Sequence, residues 1–324
     1  MYQEYLVTGA CNPVGKLVAM KLAESECKVR VLLPAGSEGE EFTEKGIEVF
    51  KGSVFDKDTM KDFFQLEDAR HSAIIHCDEV VNVSDATDLN MRRINVIGTQ
   101  NVIDQCIKYK VGRIVWLGSA YALNPSSRLE NSVLHFDRSK VEGEYAKTKA
   151  EAGAYIIEKT SLNKLNAVML LPTFIIGPGF DENSDLNKML QKYLEQGVST
   201  VPGGHAFVDV RDVAETLLAI CENGEVGGCY ILNGEYKSSE AFFDSVKNAT
   251  GSNKEVKAMS KWMSGKSMAK FVDTYYRLTK KDNPKEVYAI FRNSPDAHFK
   301  STVEGVAPEL QLKSVEESLK DSLK

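Results

Sequence analysis

The sequence predicts an α/β protein with a doubly wound parallel sheet, followed by a smaller mixed α/β lobe. Two observations lead to this prediction. Short apolar strands alternate with amphipathic helices over the first 171 residues, which is typical of a parallel sheet covered by helices on both faces. The first strand also runs through a glycine-containing turn into a helix, the unit with which such sheets commonly begin.

Six strands are predicted from short apolar runs bounded by turn-forming residues. They are residues 4–8, 28–33, 47–50, 72–77, 114–117 and 165–171. Helical spacing of apolar residues follows the first turn, where Leu17, Val18 and Leu22 share a face. Further helices are predicted at 56–64, 86–110 and 139–160. Ligands of such sheets bind at the carboxyl ends of the strands, so a site is expected at that edge.

The alternation loosens beyond Pro172. A strand is predicted within 227–233, and helices are predicted at 184–196, 212–221, 239–249 and after a capping box at Ser314. We therefore assign residues 1–172 to a first domain, to which residues 206–223 return. Residues 173–205 and 224–324 are assigned to a second lobe.

Residues 9–15 (GACNPVG) form the first strand–helix turn. Gly9 permits a tight turn and Gly15 permits close packing of helix on strand. Asn12 stands where a middle glycine is expected, and asparagine tolerates left-handed backbone angles. A helix N-terminus reached in this way can bind phosphate groups. Cys11 is interpreted as a small packed thiol rather than a reactive one.

A second candidate site lies after the strand 114–117. Tyr145 and Lys149 share one helix face, and Ser119 follows the strand. An ammonium beside a phenol lowers the phenol pKa from about 10, and such a phenol can exchange a proton with a carbonyl or alcohol. The alternative is an ordinary solvated helix face. The same spacing recurs at Tyr155/Lys159 and Tyr276/Lys280. The Gly-Ser strand end upstream favours Tyr145.

Composition restricts the function classes. A net charge of −6 argues against nucleic-acid binding, and the N-terminus lacks the features of a signal peptide. The longest apolar run, 167–176, contains a proline and is shorter than the ~20 residues of a membrane span. The six cysteines show no Cys-x-x-Cys spacing, which indicates reduced thiols in a cytoplasmic protein. No metal-ligand cluster appears among the cysteines and five histidines.

Segment 254–285 carries nine Lys or Arg residues against three acids. It could lie on a membrane surface, but a docked helix with a solvated basic face is favoured. His76 ends a strand and is interpreted as structural, whereas His205 is interpreted as a surface-loop histidine.

Several segments resemble the extended short-chain dehydrogenase/reductase superfamily. They are Thr8-Gly9 through Gly15, residues 95–99 (NVIGT), Ser119-Ala120, residues 145–152 (YAKTKAEA), residues 171–178 (LPTFIIGP) and, more weakly, residues 207–214. The dihydroflavonol-reductase and 3β-hydroxysteroid-dehydrogenase-like branch is the most similar. The match covers residues 8–214 and resembles the rest of the chain only in general character.

The resemblance implies an NAD(P)-binding Rossmann domain in the first domain and substrate binding in the second lobe. Tyr145 would be the acid/base, Ser119 would position the substrate oxygen, and Lys149 would hold the nicotinamide ribose and tune Tyr145. Asn95 would support a proton path. The implied cofactor-binding residues are Gly9, Cys11, Asn12, Pro13, Val14, Gly15, Pro34, Ser53, Val54, His76, Asp78, Lys149, Pro172 and Phe174.

The chain departs from this family pattern mainly at the cofactor. Asn12 replaces a glycine, Ser53 a frequent aspartate, Asp78 a small residue, Leu171 an arginine and Ile176 a tyrosine. The second strand ends in Leu33-Pro34, with neither the acid of NAD enzymes nor the arginine of NADP enzymes. Because no acid repels a 2′-phosphate and Ser37 could donate to it, NADP is slightly favoured over NAD.

Three functions remain open. The favoured one is an NAD(P)-dependent oxidoreductase acting on a carbonyl or secondary alcohol of an apolar small molecule, since apolar residues surround the expected pocket (Phe174, Ile175, Ile176, Phe180 and Phe207). The alternatives are a sugar-nucleotide epimerase and a non-catalytic dinucleotide-sensing or scaffold protein with a degenerate cofactor site. A monomer or homodimer is expected.

Overall fold

The computed structural model describes residues 2–82, 88–124, 135–163, 165–200, 203–258 and 298–323. Its strands are β1 (Glu4–Thr8), β2 (Lys28–Leu33), β3 (Glu48–Lys51), β4 (Ser72–His76), β5 (Arg113–Leu117), β6 (Ala167–Pro172), β7 (Phe174–Ile176), β8 (Val198–Thr200), β9 (Gly204–Asp209), β10 (Cys229–Leu232), β11 (Glu235–Ser238) and β12 (Val256–Ala258). Its α-helices are α1 (Pro13–Leu22), α2 (Glu40–Thr43), α3 (Leu89–Arg92), α4 (Thr99–Tyr109), α5 (Glu144–Asn163), α6 (Asp185–Gln196), α7 (Val210–Asn223), α8 (Ser239–Thr250) and α9 (Val315–Ser322).

Seven parallel strands form the main sheet in the order β10-β6-β5-β4-β1-β2-β3, which confirms the predicted doubly wound fold. The direction of winding reverses between β1 and β4, whose last residues, Thr8 and His76, stand side by side. A reversal of this kind leaves a crevice beyond the strand ends, where such folds bind their ligands.

Alternate residues of each strand face opposite helical layers, as the period of a β-strand requires. Val7 and Ile75 belong to the core that also contains residues of α1 and α7. Leu6 and Ile74 belong to the core on the other face, with residues of α4 and α5. All four side chains are fully buried, so strand burial fixes the register of the sheet.

The segment predicted to form the second lobe begins directly after β6. Strands β7, β9 and β11 form a three-stranded sheet, and β8 pairs with β12. Residues of β7, α6, β9, α8 and α9 share one apolar core. Helix α7 leaves this lobe and packs against α1, β5 and β6. The lobe's sheet therefore starts at the carboxyl edge of the main sheet, beside the crevice.

Two predicted helices take other forms. Residues 56–64 form turns instead of a helix. The Thr59 hydroxyl donates to the carbonyl oxygens of Ser53 and Asp56, and these bonds compete with helical hydrogen bonding of the backbone. The helix predicted at 86–110 is divided in its described part: a π-helical turn, Arg93–Gly98, separates α3 from α4. Such turns often occur at functional sites, and this one contains Asn95.

Two assignments near the C-terminal half also change. Helix α7 starts before the predicted Asp212, because the Asp209 carboxylate caps it at the Arg211 amide (2.8 Å). Asp212 instead accepts a hydrogen bond from the Lys313 amide at 2.8 Å. Strand β10, predicted in the second lobe, pairs with β6 at the edge of the main sheet.

Most of the basic segment 254–285 and the pair Tyr276/Lys280 lie outside the described residues. Over the part of the chain that the structure describes, no helix has the length and apolar character needed to cross a membrane. Within the same residues, no group of three or more His, Cys, Asp and Glu side chains could hold a metal ion.

Candidate active site

A cavity of about 440 Å³ opens at the carboxyl edge of the main sheet. The glycine turn, the ends of β4, β5 and β6 and the start of α5 contribute to its walls. Ser119 and Tyr145 line this cavity. Six other predicted site residues also line it: Cys11, Asn12, Pro13, Val14, Pro172 and Phe174. Two of the predicted catalytic residues, Ser119 and Tyr145, and one end of the glycine turn thus meet in one space.

The glycine turn is closed by backbone contacts that leave no room for side chains. Gly9 has φ +74, and a Cβ there would lie 2.5 Å from the Asp78 amide nitrogen. A Cβ on Gly15 would collide with the Gly9 carbonyl oxygen. No side chain caps the start of α1 and no acid lies in its first turn, so the amides of Val14 and Gly15 remain available to a phosphate. This end of the crevice fits a dinucleotide.

Asn12 acts differently from what the sequence suggested. Its backbone is extended, with φ −87 and ψ 150, so the left-handed conformation is not used. Its side-chain amide instead donates to the carbonyl oxygens of Cys77 (3.4 Å) and Glu79 (3.3 Å). Asn12 therefore ties the glycine turn to the segment that follows β4.

Cys11 is exposed, which contradicts its interpretation as a packed thiol. The glycine turn directs the Cys11 side chain outward, and its thiol donates to the Ser37 hydroxyl at 3.7 Å. Cys11 thus connects the glycine turn with the loop after β2, where the adenosine of a dinucleotide is expected.

Tyr145 and Lys149 lie on one face of α5, as their spacing predicted. Lys149 is only 1% exposed, and its ammonium donates to the Leu117 carbonyl oxygen at 2.9 Å. Ser119 follows β5 and is also buried; its hydroxyl oxygen accepts from the Tyr121 amide at 3.3 Å. Strand β5 and helix α5 therefore bring the hydroxyl, the phenol and the ammonium to one place.

Glu79 occupies the centre of this group, and sequence reasoning missed it. Its Oε2 atom accepts a hydrogen bond from the Tyr145 hydroxyl at 2.8 Å and lies 2.7 Å from Lys149 Nζ. The available signal was the pair of acids directly after the buried strand 72–77. Consecutive side chains of an extended chain point in opposite directions, so Asp78 and Glu79 cannot both face away from α5.

The pKa of Tyr145 moves in the direction opposite to our expectation. Burial raises it well above the ordinary value, and the charge and hydrogen bond of Glu79 raise it further, whereas a hydrogen bond from Ser119 lowers it. The expectation failed first because Tyr145 is buried, which disfavours the phenolate, and second because the Glu79 carboxylate offsets the Lys149 ammonium.

Asn95 holds the Glu79 segment in place. Its side-chain oxygen accepts from the Val80 amide (2.8 Å), and its side-chain nitrogen donates to the Val80 carbonyl (2.9 Å) and the Thr148 hydroxyl (3.1 Å). Both polar atoms of the Asn95 side chain are therefore hydrogen-bonded. In this structure Asn95 positions backbone rather than lining the cavity.

His76 is structural, as predicted. Its ring is buried between the hydroxyls of Thr8 (2.6 Å) and Thr99 (3.0 Å). Burial, with the nearby Lys149 charge, lowers its pKa to about 3, so the ring is neutral at ordinary pH.

Other predicted cofactor residues lie away from the cavity. Val54 is fully buried and packs against Gly98, and Pro34 is exposed after β2. The Ser53 amide donates to the Thr59 hydroxyl at 2.9 Å. Asp78 is half-buried beside Gly9; burial, followed by the Glu79 charge, raises its pKa to about 6. These predicted cofactor residues thus lie outside the cavity.

The far wall of the cavity is aromatic and contains a polar pair. His205 lies in β9 and is 2% exposed, so its interpretation as a surface-loop residue was wrong. Its Nδ1 atom is 2.8 Å from the Tyr121 hydroxyl, and its ring lies 5.8 Å from that of Phe174. The apolar run around Ala206–Val208 was the missed signal of a buried strand.

Acidic side chains are frequent around the cavity. Among the described residues, those lining it include no lysine or arginine. They do include five carboxylates: Glu79, Glu142, Glu144, Asp181 and Asp185. Anionic groups of a substrate would therefore meet no lysine or arginine on this part of the wall.

The competing pair Tyr155/Lys159 lies elsewhere on α5. The Tyr155 hydroxyl donates to Asp104 of α4 at 2.6 Å, and neither residue lines the cavity. This pair connects two helices, which leaves Tyr145 as the member of the spacing pattern at the described cavity.

Comparison with known proteins identifies the family. The model of the NAD-dependent epimerase/dehydratase family matches residues 5–232, so the chain belongs to that family. The chain is 26% identical over 253 residues to sterol demethylase protein B of Methylococcus capsulatus, covering 76% of this chain and 74% of that protein. It is 23% identical to a 4-hydroxy-2-methyl-3-oxo-4-farnesyl-3,4-dihydroquinoline-1-oxide ketoreductase of Stigmatella aurantiaca, covering 70% and 66%. Thermus thermophilus UDP-glucose 4-epimerase, solved in complex with NAD, has the same fold with a TM-score of 0.72 and 18% identity, covering 99% and 97%.

Proposed function

We propose that this member of the NAD-dependent epimerase/dehydratase family is an oxidoreductase that reduces a carbonyl, or oxidises a secondary alcohol, of an apolar small molecule. The observation that supports this most is the shared cavity of Ser119 and Tyr145, which adjoins the glycine turn and has an apolar, aromatic wall. The two relatives named above as a sterol demethylase protein and a farnesyl-dihydroquinoline ketoreductase support an apolar substrate class.

Each residue has a defined task in this proposal. The amides of Val14 and Gly15 would hold the pyrophosphate of the dinucleotide, and Lys149 would hold its ribose. The dinucleotide, when bound, supplies or accepts the hydride at the substrate carbon. Tyr145 moves the proton at the substrate oxygen, and Ser119 orients that oxygen.

Both dinucleotides fit the proposal, with a slight preference for NADP. Pro34 brings no negative charge to the end of β2. The Lys51 ammonium donates to the Ser37 carbonyl oxygen at 2.5 Å, so a cation lies at the turn where a 2′-phosphate would sit. This cation supports NADPH binding even though the usual arginine is absent.

The two alternative functions have weaker support. A sugar-nucleotide epimerase must hold a diphosphate, and the described cavity wall offers five carboxylates and no lysine or arginine. A non-catalytic dinucleotide sensor is favoured by the altered cofactor residues (Asn12, Pro34, Ser53 and Asp78). The contact of Glu79 with Lys149, which a ribose would have to share or displace, adds to that support.

We further propose that the enzyme acts as a monomer or homodimer in the cytoplasm. All six cysteines are free, which supports a reducing compartment.

Fluorescence titration tests the cofactor part of the proposal. NADH and NADPH are titrated separately at the same salt concentration, and we expect both to bind, with NADPH at least as tight. Turnover is then measured with nitrobenzaldehyde, acetophenone, decanal and a steroid ketone. Binding without turnover of any of them would favour the sensor, and failure of both dinucleotides to bind would exclude the oxidoreductase.

A further inference from the structure

Glu79 is held at the catalytic pair from both sides of its own backbone. The Asn12 side chain donates to the Glu79 carbonyl, and Asn95 pairs with both polar backbone groups of Val80. The Glu79 side chain is 12% exposed and Lys149 has a 2% exposed side chain. The Glu79 carboxylate is therefore held in a fixed position between the Tyr145 phenol and the Lys149 ammonium.

Several charged groups surround Glu79 among the described residues. Lys149 is the cation, and Asp78 is the second carboxylate, since both influence the pKa of Cys77 together with Glu79. Burial raises the pKa of the Cys77 thiol, and His76 is neutral, so neither adds a charge. At the start of α5, Glu144 lines the same cavity and is paired with Lys147 at 2.7 Å, and Glu142 lies beside it. Glu79 is the only one of these acids with a described hydrogen bond to Tyr145.

We propose that Glu79 is a further catalytic residue, the carboxylate with which Tyr145 exchanges its proton. This inference rests on the proposed oxidoreductase function. It follows from the hydrogen bond itself: the phenol already donates to Glu79, so the phenol oxygen can accept a proton from a substrate hydroxyl as its own proton departs.

The proton and electron balance of alcohol oxidation is complete in this arrangement. The substrate hydroxyl proton moves to the Tyr145 oxygen while the phenol proton moves to Glu79 Oε2. The substrate carbon loses a hydride to the oxidised dinucleotide and becomes a carbonyl. Carbonyl reduction reverses each transfer, with the proton returning from Glu79 through Tyr145 to the substrate oxygen. Tyr145 is therefore a neutral phenol before and after each turnover.

Lys149 has a supporting task in this relay. Its ammonium lies 2.7 Å from the same Glu79 oxygen that receives the phenol hydrogen bond, and it is anchored by the Leu117 carbonyl. It stabilises the carboxylate and leaves that oxygen accessible to the phenol. Since Glu79 lines the cavity, its proton can exchange with solvent there.

The first test needs neither substrate nor cofactor. The ultraviolet absorbance of phenolate is titrated in the wild type and in Glu79→Gln, and the same titrations in a Tyr145→Phe background isolate the Tyr145 signal. We expect Glu79→Gln to lower the pKa of Tyr145, because the negative charge that disfavours the phenolate is lost and Lys149 is no longer offset. An unchanged Tyr145 titration would overturn the proposal.

A matched control exists at the opposite edge of the sheet. The Tyr5 hydroxyl donates to Glu222 at 2.6 Å, and Glu222→Gln makes the same chemical change there. We expect that control to leave Tyr145 unchanged. If Glu79→Gln fails to fold because Lys149 loses its partner, Glu79→Gln combined with Lys149→Gln removes both charges. In the double variant we expect Tyr145 to titrate above its value in Glu79→Gln alone, or, when the single variant cannot be measured, below its wild-type value.

The second test measures the transfer itself, with the carbonyl compound of the panel that turns over fastest. Rates in mixtures of light and heavy water report the number of protons in flight: a curved dependence is expected for the wild type and a linear one for Glu79→Gln. We also expect Glu79→Gln to lower kcat by about 10- to 100-fold, at or below the lower end of what proton-transfer catalysis contributes. A wild-type curvature that persists in the variant would overturn the relay. Absence of any turnover would overturn the oxidoreductase and the relay with it, while the titration still decides whether Glu79 holds the phenol hydrogen bond.

Discussion

The two ends of the crevice are built by different means. At the glycine turn, Gly9 and Gly15 pack backbone on backbone, and a single added Cβ would collide with a main-chain atom. At the Tyr145 end, the defining contacts are made by side chains, chiefly Glu79 with Tyr145 and Lys149. The phosphate end is thus constrained by the fold itself, whereas the proton-transfer end can be altered by a single side chain. The substitutions below test this contrast, in order of decreasing effect.

The largest effect is expected from Tyr145→Phe, which removes the proton donor and keeps the ring. Turnover should fall by a factor on the order of 10²–10⁴, the usual contribution of general acid–base catalysis, with little change in dinucleotide affinity. Steady-state kinetics and fluorescence titration measure the two quantities. Tyr155→Phe on the same helix is the control, since its hydroxyl bonds to Asp104 and should not affect turnover. Equal turnover of Tyr145→Phe and the wild type would remove Tyr145 from the mechanism.

Gly15→Ala should damage the phosphate end through backbone displacement. The added Cβ meets the Gly9 carbonyl oxygen, so we expect a loss of about 1–3 kcal/mol in the free energy of unfolding, as for other overpacked sites. Weaker NADH binding should accompany it. Urea denaturation measures the stability, and Gly305→Ala is the control because nothing lies within 4 Å of its Cβ position. A stable variant with undiminished NADH affinity would contradict the view that this end tolerates no side chain.

Asn95→Ala should loosen the Glu79 segment without touching the cavity. Losing the contacts to Val80 leaves partly buried backbone groups without these partners, so the free energy of unfolding should fall by about 0.5–1.5 kcal/mol. The pKa of Tyr145 should also fall, since Glu79 is held less firmly. Asn101→Ala, which removes a 3.0 Å bond to the Val54 carbonyl, is the control and should change stability alone. An Asn95→Ala protein with the wild-type Tyr145 titration would show that Glu79 needs no such support.

The smallest effect is expected from Asp78→Ala, which restores a small residue beside the glycine turn. Its carboxylate would face the pyrophosphate, so the substitution should tighten NADH binding, and more so at low ionic strength. Because burial raises the pKa of Asp78 to about 6, the wild-type carboxylate is charged above that pH and neutral below it. The advantage of Asp78→Ala should therefore be present at neutral pH and disappear as the pH falls through about 6. Calorimetric titration at two pH values measures it, and weaker binding to the variant would mean that Asp78 is a ligand of the ribose.

The sheet could be predicted from sequence because its signal is local. Strands 28–33 and 72–77 are predominantly apolar, and β2 and β4 agree with them to within one residue at each end. The Tyr145/Lys149 face was likewise fixed by helical spacing. The prediction of a helix at residues 56–64 was wrong because hydrogen bonds from local side chains to the backbone, such as those of Thr59, replaced helix formation.

The electrostatics of the site could not be predicted in the same way. The pKa of Tyr145 depends on a residue 66 positions away in the chain, and no periodic pattern connects the two. His205 was misassigned for a related reason, because the burial of β9 depends on pairing with β7 and β11. Sequence spacing indicates that Tyr145 and Lys149 can meet. The contact with Glu79, which changes their chemistry, is seen only in the tertiary structure.

The span of the Asn12 contacts also bears on the order of folding. Asn12 reaches Cys77 and Glu79 across 65 and 67 positions, and Glu79 in turn reaches Tyr145 across 66. Contacts this distant in sequence require closure of long loops, so they form after the local helices. The β1–β4 pairing that brings Thr8 beside His76 closes a loop of similar length and forms with these contacts. In a partly folded chain Tyr145 has neither burial nor Glu79, and its phenol titrates near the ordinary value of about 10. Phenolate absorbance in alkaline solution would therefore follow the last stage of refolding, when the carboxylate reaches the phenol.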